Sequence, residues 1–161
     1  MGYTTEFSGY IEVDPPLNDG EIAYINKFAE SRRMNRRNGP YYLGTGDYGQ
    51  DHEDDIIDYN SPPAGQPGLW CQWVASEDGT RIEWDYGEKF YNAAEWMQYI
   101  IDHFLGHEPQ AKAEGFDFLE GHTLNGTIEA AGEEYGDFWK IVVKDNKVGV
   151  VQAHIVYDDE K

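Results

Sequence analysis

Leu69-Trp70-Cys71-Gln72-Trp73-Val74-Ala75-Ser76-Glu77-Asp78-Gly79-Thr80-Arg81-Ile82-Glu83-Trp84-Asp85-Tyr86 is the stretch on which the fold turns. Asp78-Gly79 has the chemistry of a tight turn, and the runs on either side are strand-like, so the segment reads as a β-hairpin over about 69–76 and 80–86. Leu69, Cys71 and Trp73 share one face of the first run. Trp70, Gln72 and Val74 share the other, while Ile82, Trp84 and Tyr86 alternate with Arg81, Glu83 and Asp85 in the second. A sheet with at least one buried face follows. Cys71, the sole cysteine, lies inside the apolar run and reads as a buried thiol without a disulfide partner.

Beyond the hairpin, Asn92 and Glu95 have capping-box spacing, and Trp96, Tyr99, Ile100, His103 and Phe104 form a helical stripe that stops at Gly106. After a connector, Leu124, Gly126, Ile128 and Ala130 alternate with polar residues. Phe138 to Lys144 and Lys147 to Tyr157 then flank an Asp145-Asn146 turn. On the other side of the hairpin, Phe7, Gly9, Ile11 and Val13 recur at period two until Asp14-Pro15-Pro16 ends the strand. Asn18 and Glu21 repeat the cap spacing before Ile22, Ile25, Phe28 and Ala29, predicting a helix over about 19–34. The first cations of Arg32-Arg33-Met34-Asn35-Arg36-Arg37 then fall at its carbonyl end. Residues 41–68 show no sustained apolar period and read as a long ordered loop, with a short helix near Asp54 to Tyr59.

The element order is therefore β-α-β-β-α-β-β-β. It predicts a single α+β domain over 1–161, an antiparallel sheet of about five to six strands with two helices packed on one face. A ferredoxin-like arrangement with an added hairpin is one connection that this order allows.

The 161 residues hold 31 Asp and Glu against 12 Lys and Arg, a formal charge of -19. Hydrophobic residues at 40% and aromatics at 15% are too abundant for a disordered acidic tail. The start has no secretory pattern and no run approaches a membrane span, so the expectation is a cytosolic protein. A surface of this sign repels nucleic acid and anionic membranes and attracts basic proteins. Duplex DNA carries roughly two charges per base pair, so the net charge matches the phosphates of about ten base pairs. Residues 1–66 carry 12 acids and 5 bases and residues 67–161 carry 19 and 7, so no half monopolises the excess.

The segment Asp58-Tyr59-Asn60-Ser61-Pro62-Pro63-Ala64-Gly65-Gln66-Pro67-Gly68-Leu69-Trp70-Cys71-Gln72-Trp73 resembles a group of small acidic hypothetical proteins of bacteria and their phages. Gly2-Tyr3-Thr4-Thr5 and Glu88-Lys89-Phe90-Tyr91 are similar too. The resemblance implies a cytosolic domain of mobile-element origin and carries over no catalytic residue.

The sequence assigns no catalytic residue, no cofactor and no metal ligand. Asp47, Asp51, Glu53, Asp54 and Asp55 offer hard oxygen ligands, but their spacing lacks the Gly and Glu of an EF-hand, and a solvated acidic loop explains them. His103 and His107 are four apart with Gly106 between them, which breaks a helical ligand pair. Glu83 and Asp85 share a strand face and admit a paired-carboxylate hydrolase, or simply a polar sheet face with Arg81 or Lys89 as ion-pair partners. The sharper local expectation is a ligand or partner patch of Arg32, Arg33, Arg36, Tyr41, Tyr42, Tyr59 and Trp70, suited to a nucleotide or peptide. Its competing explanation is internal: the arginines offset the acidic loop and the aromatics pack. The leading expectation is a non-enzymatic acidic interaction protein, an inhibitor or decoy that binds a basic, nucleic-acid-binding protein and makes no direct contact with nucleic acid or membrane.

Overall fold

Residues Glu6–Asp14 form β1, in which Phe7, Ile11 and Val13 turn inward while Ser8, Tyr10 and Glu12 face outward. The computed structural model describes residues 2–154 and 156–158. Asp19–Glu30 forms α1, and Asn35–Arg36 (β2) pairs with Ile56–Asp58 (β3) in a separate two-stranded ribbon. Trp73–Ala75 (β4) and Arg81–Trp84 (β5) make the hairpin. Ala93–Ile100 forms α2 and continues through one wider π turn over Ile101–Leu105. Thr123–Ala131 (β6), Phe138–Lys144 (β7) and Lys147–Gln152 (β8) complete the chain's strands.

The main sheet has the order β4-β5-β1-β6-β7-β8, with every neighbouring pair antiparallel. Within it, β4-β5-β1-β6 is the order of a ferredoxin-like sheet, and β7 and β8 extend it as the added hairpin. Both helices lie on one face. Phe28 of α1 meets Trp96 of α2 at 5.8 Å, above the buried Ile11, Trp73, Ile82, Leu124 and Ile141. Phe7 sits edge-on to Trp73, Trp84, Phe90 and Trp139 at 5.4–5.9 Å, which locks β1 to both halves of the sheet. The other sheet face is uncovered, with Glu12, Arg81, Thr127, Lys140 and Lys144 in solvent.

The hairpin turn has the expected chemistry. Gly79 adopts φ +75°, and an added Cβ would strike the Leu17 carbonyl oxygen at 2.6 Å, so a side chain is excluded there. Asp78 accepts from the Thr80 N–H and hydroxyl, which holds its carboxyl down at about 2.

Three features differ from the sequence reading. α1 stops at Ser31, not near residue 34, because the Arg32 and Arg33 amides donate to the Tyr48 and Leu69 carbonyls rather than back along the helix. The arginines therefore lie beyond the helix, and Lys27 is the basic residue of its last turn. Asn92 is left-handed at φ 60° and makes no cap; its side chain donates to the Pro67 carbonyl instead. The expected helix near Asp54 to Tyr59 is strand β3, drawn out by pairing with β2.

Each helix also lends an amide to a sheet edge. Asn26 accepts from the Ala75 N–H at 2.8 Å and donates to the Ala75 carbonyl at 3.5 Å, clipping the rim of β4. Gln98 accepts from the Val148 N–H at 2.9 Å and donates to the Asn146 carbonyl at 3.1 Å, clipping the start of β8. Such clips satisfy edge groups that would otherwise pair with another chain.

Candidate functional site

The arginine tract faces inward and organises the long loop. Arg36 is buried; its guanidinium bonds Asp55 at 2.9 Å, Glu53 at 3.2 Å and the Gly49 carbonyl at 3.0 Å, and lies 5.0 Å from the centre of the Tyr42 ring. Arg33 is buried, and among the described residues no carboxylate is bonded to it. It donates to the carbonyls of Pro40 and Tyr42, stacks on Phe28 at 4.4 Å, and is brought down to about 10 by desolvation. Arg32 stacks on Tyr59 at 4.4 Å and donates to the Tyr59 carbonyl and Asn60. Arg37 donates to the Asp54 carbonyl. Trp70 is half-buried and packs edge-on to Tyr48 at 6.2 Å. Among the described residues Arg36 alone of the four pairs with carboxylates of the loop, while Arg32, Arg33 and Arg37 donate to backbone carbonyls of Tyr59, of Pro40 and Tyr42, and of Asp54.

Of the seven patch residues, Tyr41 and Tyr42 share a cavity of about 430 Å³ whose wall also includes Pro40, Leu43, Glu114 and Phe116. Tyr42 donates to Glu53 at 2.7 Å, which raises the phenol and lowers the carboxyl. The Tyr41 hydroxyl lies 2.6 Å from Nδ1 of His103, whose ring stacks on Tyr99 at 3.8 Å. Burial raises Tyr41 and lowers His103, so the pair rests as a neutral phenol donating to a neutral imidazole. A phenol held in that form is no base. Gln66 completes the network by donating to Tyr99 and to the Pro40 carbonyl. His107 is elsewhere, against Thr123, so the two histidines do not converge.

The remaining candidates behave as packing or polar surface. Glu83 lies on the uncovered sheet face near Arg81 at 3.9 Å, and Asp85 accepts from the Gly87 N–H at 2.7 Å. Neither borders the Tyr41 cavity. Cys71 is fully buried and its thiol is pushed up to about 12 by that burial, which leaves it inert as a nucleophile.

Sequence inspection missed the grouping of carboxylates that the fold creates. Asp102 on the π turn and Glu108, Glu114, Asp117 and Glu120 in the connector after it are exposed. The Asn18 side chain ties this stretch to the start of α1 through the Phe118 carbonyl at 2.8 Å and Glu120 at 2.5 Å, placing the exposed Asp19 next to it. Lys112 is the stretch's one Lys or Arg, and its ammonium is held on the Leu119 carbonyl at 2.7 Å. Lys140, Lys144 and Lys147 lie on β7 and β8, and further exposed carboxylates, among them Asp47, Asp51, Asp54, Glu77, Glu88, Glu95, Glu133 and Glu134, are spread over the rest of the surface. The spacing of carboxylates along 102–120 was visible in the sequence; the link to α1 depends on a contact across 100 residues.

Among the described residues, no helix is long and apolar enough to cross a membrane. No protein-family model, no curated protein and no solved structure matches the chain.

Proposed function

We propose that the protein is a non-enzymatic interaction module that takes a basic, nucleic-acid-binding protein on its acidic end, in the manner of an inhibitor or decoy. The observation that supports this reading is the run Asp102, Glu108, Glu114, Asp117 and Glu120 with Asp19 beside it and one engaged lysine. Carboxylates gathered on one surface add their fields, steer a cationic partner and raise its association rate. Some acids elsewhere are offset by neighbours: Glu53 and Asp55 are paired with Arg36, and Glu129 stands across from Lys140.

The test is binding of a lysine- and arginine-rich peptide and of an intact basic DNA-binding domain, followed by fluorescence anisotropy over a salt series. Affinity for the domain should fall steeply with salt. The triple variant Glu114→Gln/Asp117→Asn/Glu120→Gln should weaken it about tenfold. Asp47→Asn/Asp51→Asn/Asp54→Asn removes the same charge from the loop and should leave it nearly unchanged. Equal losses from both variants would reduce the effect to bulk charge and refute a site, as would salt-insensitive binding.

A further inference from the structure

Several exposed apolar side chains lie near the C-terminal hairpin. Phe138, Val150 and Val151 are each about half exposed, and Tyr135 almost fully. β8 is the outer strand of the main sheet. Since the Val148 N–H points away from β7 to Gln98, antiparallel alternation turns the amides of Val150 and Gln152 outward as well. Gln98 clips only the first of them; Val150 to Gln152 is left as a free strand edge among the described residues. A groove lies on each side of that edge. On the helix side, Phe90, Ala94, Trp139 and Val150 border about 320 Å³; on the uncovered side, Ala131, Phe138 and Val151 border about 610 Å³. A strand laid along the edge would gain backbone hydrogen bonds and bury apolar side chains on both faces.

Charge identifies the occupant. From Phe138 to His154 the chain has three lysines against one carboxylate, Asp145, while Glu6 and Glu129 line one groove and Glu95 the other, so the face is close to neutral, and Val148 to Gln152 is uncharged. The other cationic stretch, the arginine tract, is engaged by the loop. Two copies of a chain carrying -19 repel each other across most of their surface. At the hairpin they do so least. We propose that β8 of one copy pairs antiparallel with β8 of a second about a two-fold axis, joining their sheets into one. Such an interface is isologous, with Val150 set against its own counterpart and each copy supplying the same edge.

This dimer uses a different surface from the acidic end, and salt acts on it in the opposite direction. Screening weakens capture of a basic partner but relieves repulsion between like molecules. Sedimentation velocity over a wide concentration series should show a monomer–dimer equilibrium that shifts toward dimer as sodium chloride rises. Hydrogen exchange at the Val150 and Gln152 amides should slow with protein concentration. Val150→Lys places a charge on the edge and should weaken dimerisation at least about tenfold with the fold retained by circular dichroism. Gln152→Pro deletes one outward donor at a position where an edge strand tolerates proline, and should do the same. A monomer at every concentration and salt would overturn the proposal. So would a dimer that survives Val150→Lys, or one that dissociates as salt is added.

Discussion

His122 touches two acceptors at once. Its Nδ1 lies 2.7 Å from the Pro15 carbonyl, and its Nε2 lies 2.8 and 2.9 Å from the two oxygens of Glu21, a carboxylate with no exposed surface. The Pro15 carbonyl and an ionised Glu21 can only accept, so below the raised pKa of the imidazole both ring nitrogens carry protons and the pair is an imidazolium bound to a carboxylate. Desolvation works against both charges, yet hydrogen bonds prevail: Glu21 is lowered by His122 and by the Glu120 and Asn18 amides, and His122 is raised by Glu21 and the Pro15 carbonyl. The signs define a window. The lowered carboxyl contributes stability that is present above its unfolded value of about 4.3 and lost as pH falls through the folded one; the raised imidazole contributes stability that is complete below about 6.5 and lost as pH rises through its folded value. Replacing His122 by Gln should therefore cost about 3–5 kcal/mol near pH 5.5, since it strands a buried carboxylate. Urea midpoints of the two proteins should draw together as pH climbs beyond the folded imidazole's titration. A pH-independent difference would mean that His122 acts only through packing. Half of this cluster was legible, because Asn18 and Glu21 are a capping box at three-residue spacing; His122 stands 101 residues away from Glu21 and gave no local signal.

At the scale of elements, the strands declared themselves and the helix ends did not. β1, β4, β5, β6 and β7 follow from period-two alternation, because one face of the sheet is buried and the other is open. Helix termini depend on where backbone groups find partners, and at Ser31 those partners are Tyr48 and Leu69, far along the chain. The same logic applies to the arginine tract, whose hydrogen-bond partners come from residues 40–60 of the loop. Arg36 holds the loop by Glu53, Asp55 and Gly49, and also belongs to β2, whose pairing with β3 is short. Arg36→Met should consequently free a segment rather than the whole domain: amide exchange should accelerate across 44–58 while β1, β6 and β7 keep their protection. Stability should drop by about 3 kcal/mol, because Asp55 is left nearly buried without its counter-ion. Arg32→Ala is the internal contrast, since its stacking on Tyr59 is partly exposed and should be worth about 0.5–1 kcal/mol. Uniform loosening of the sheet in the Arg36 variant would contradict a local clamp.

For the whole molecule, charge should limit stability more than it supplies it. Among the described residues the exposed ion pairs are weak in geometry: Lys27 lies 4.0 Å from Glu30 and Arg81 3.9 Å from Glu83, with side chains about half exposed. Pairs of that kind contribute little, so added salt has little attraction to remove. The strong pairs, Arg36 with its two acids and His122 with Glu21, are buried and poorly screened. What remains for salt to act on is repulsion among the many exposed carboxylates, which folding brings closer together than they are in the extended chain. The urea midpoint should accordingly rise from low to moderate sodium chloride, and potassium chloride should match it because screening depends on ionic strength. Association through β8 would also raise the midpoint, and it grows with both salt and protein concentration. The Val150→Lys variant separates the two effects: it should keep the gain due to screening and lose the part that depends on concentration. A wild-type midpoint that falls as salt is added would show that attraction outweighs repulsion on this surface, and would remove the electrostatic basis for reading the acidic end as a field that acts on a partner.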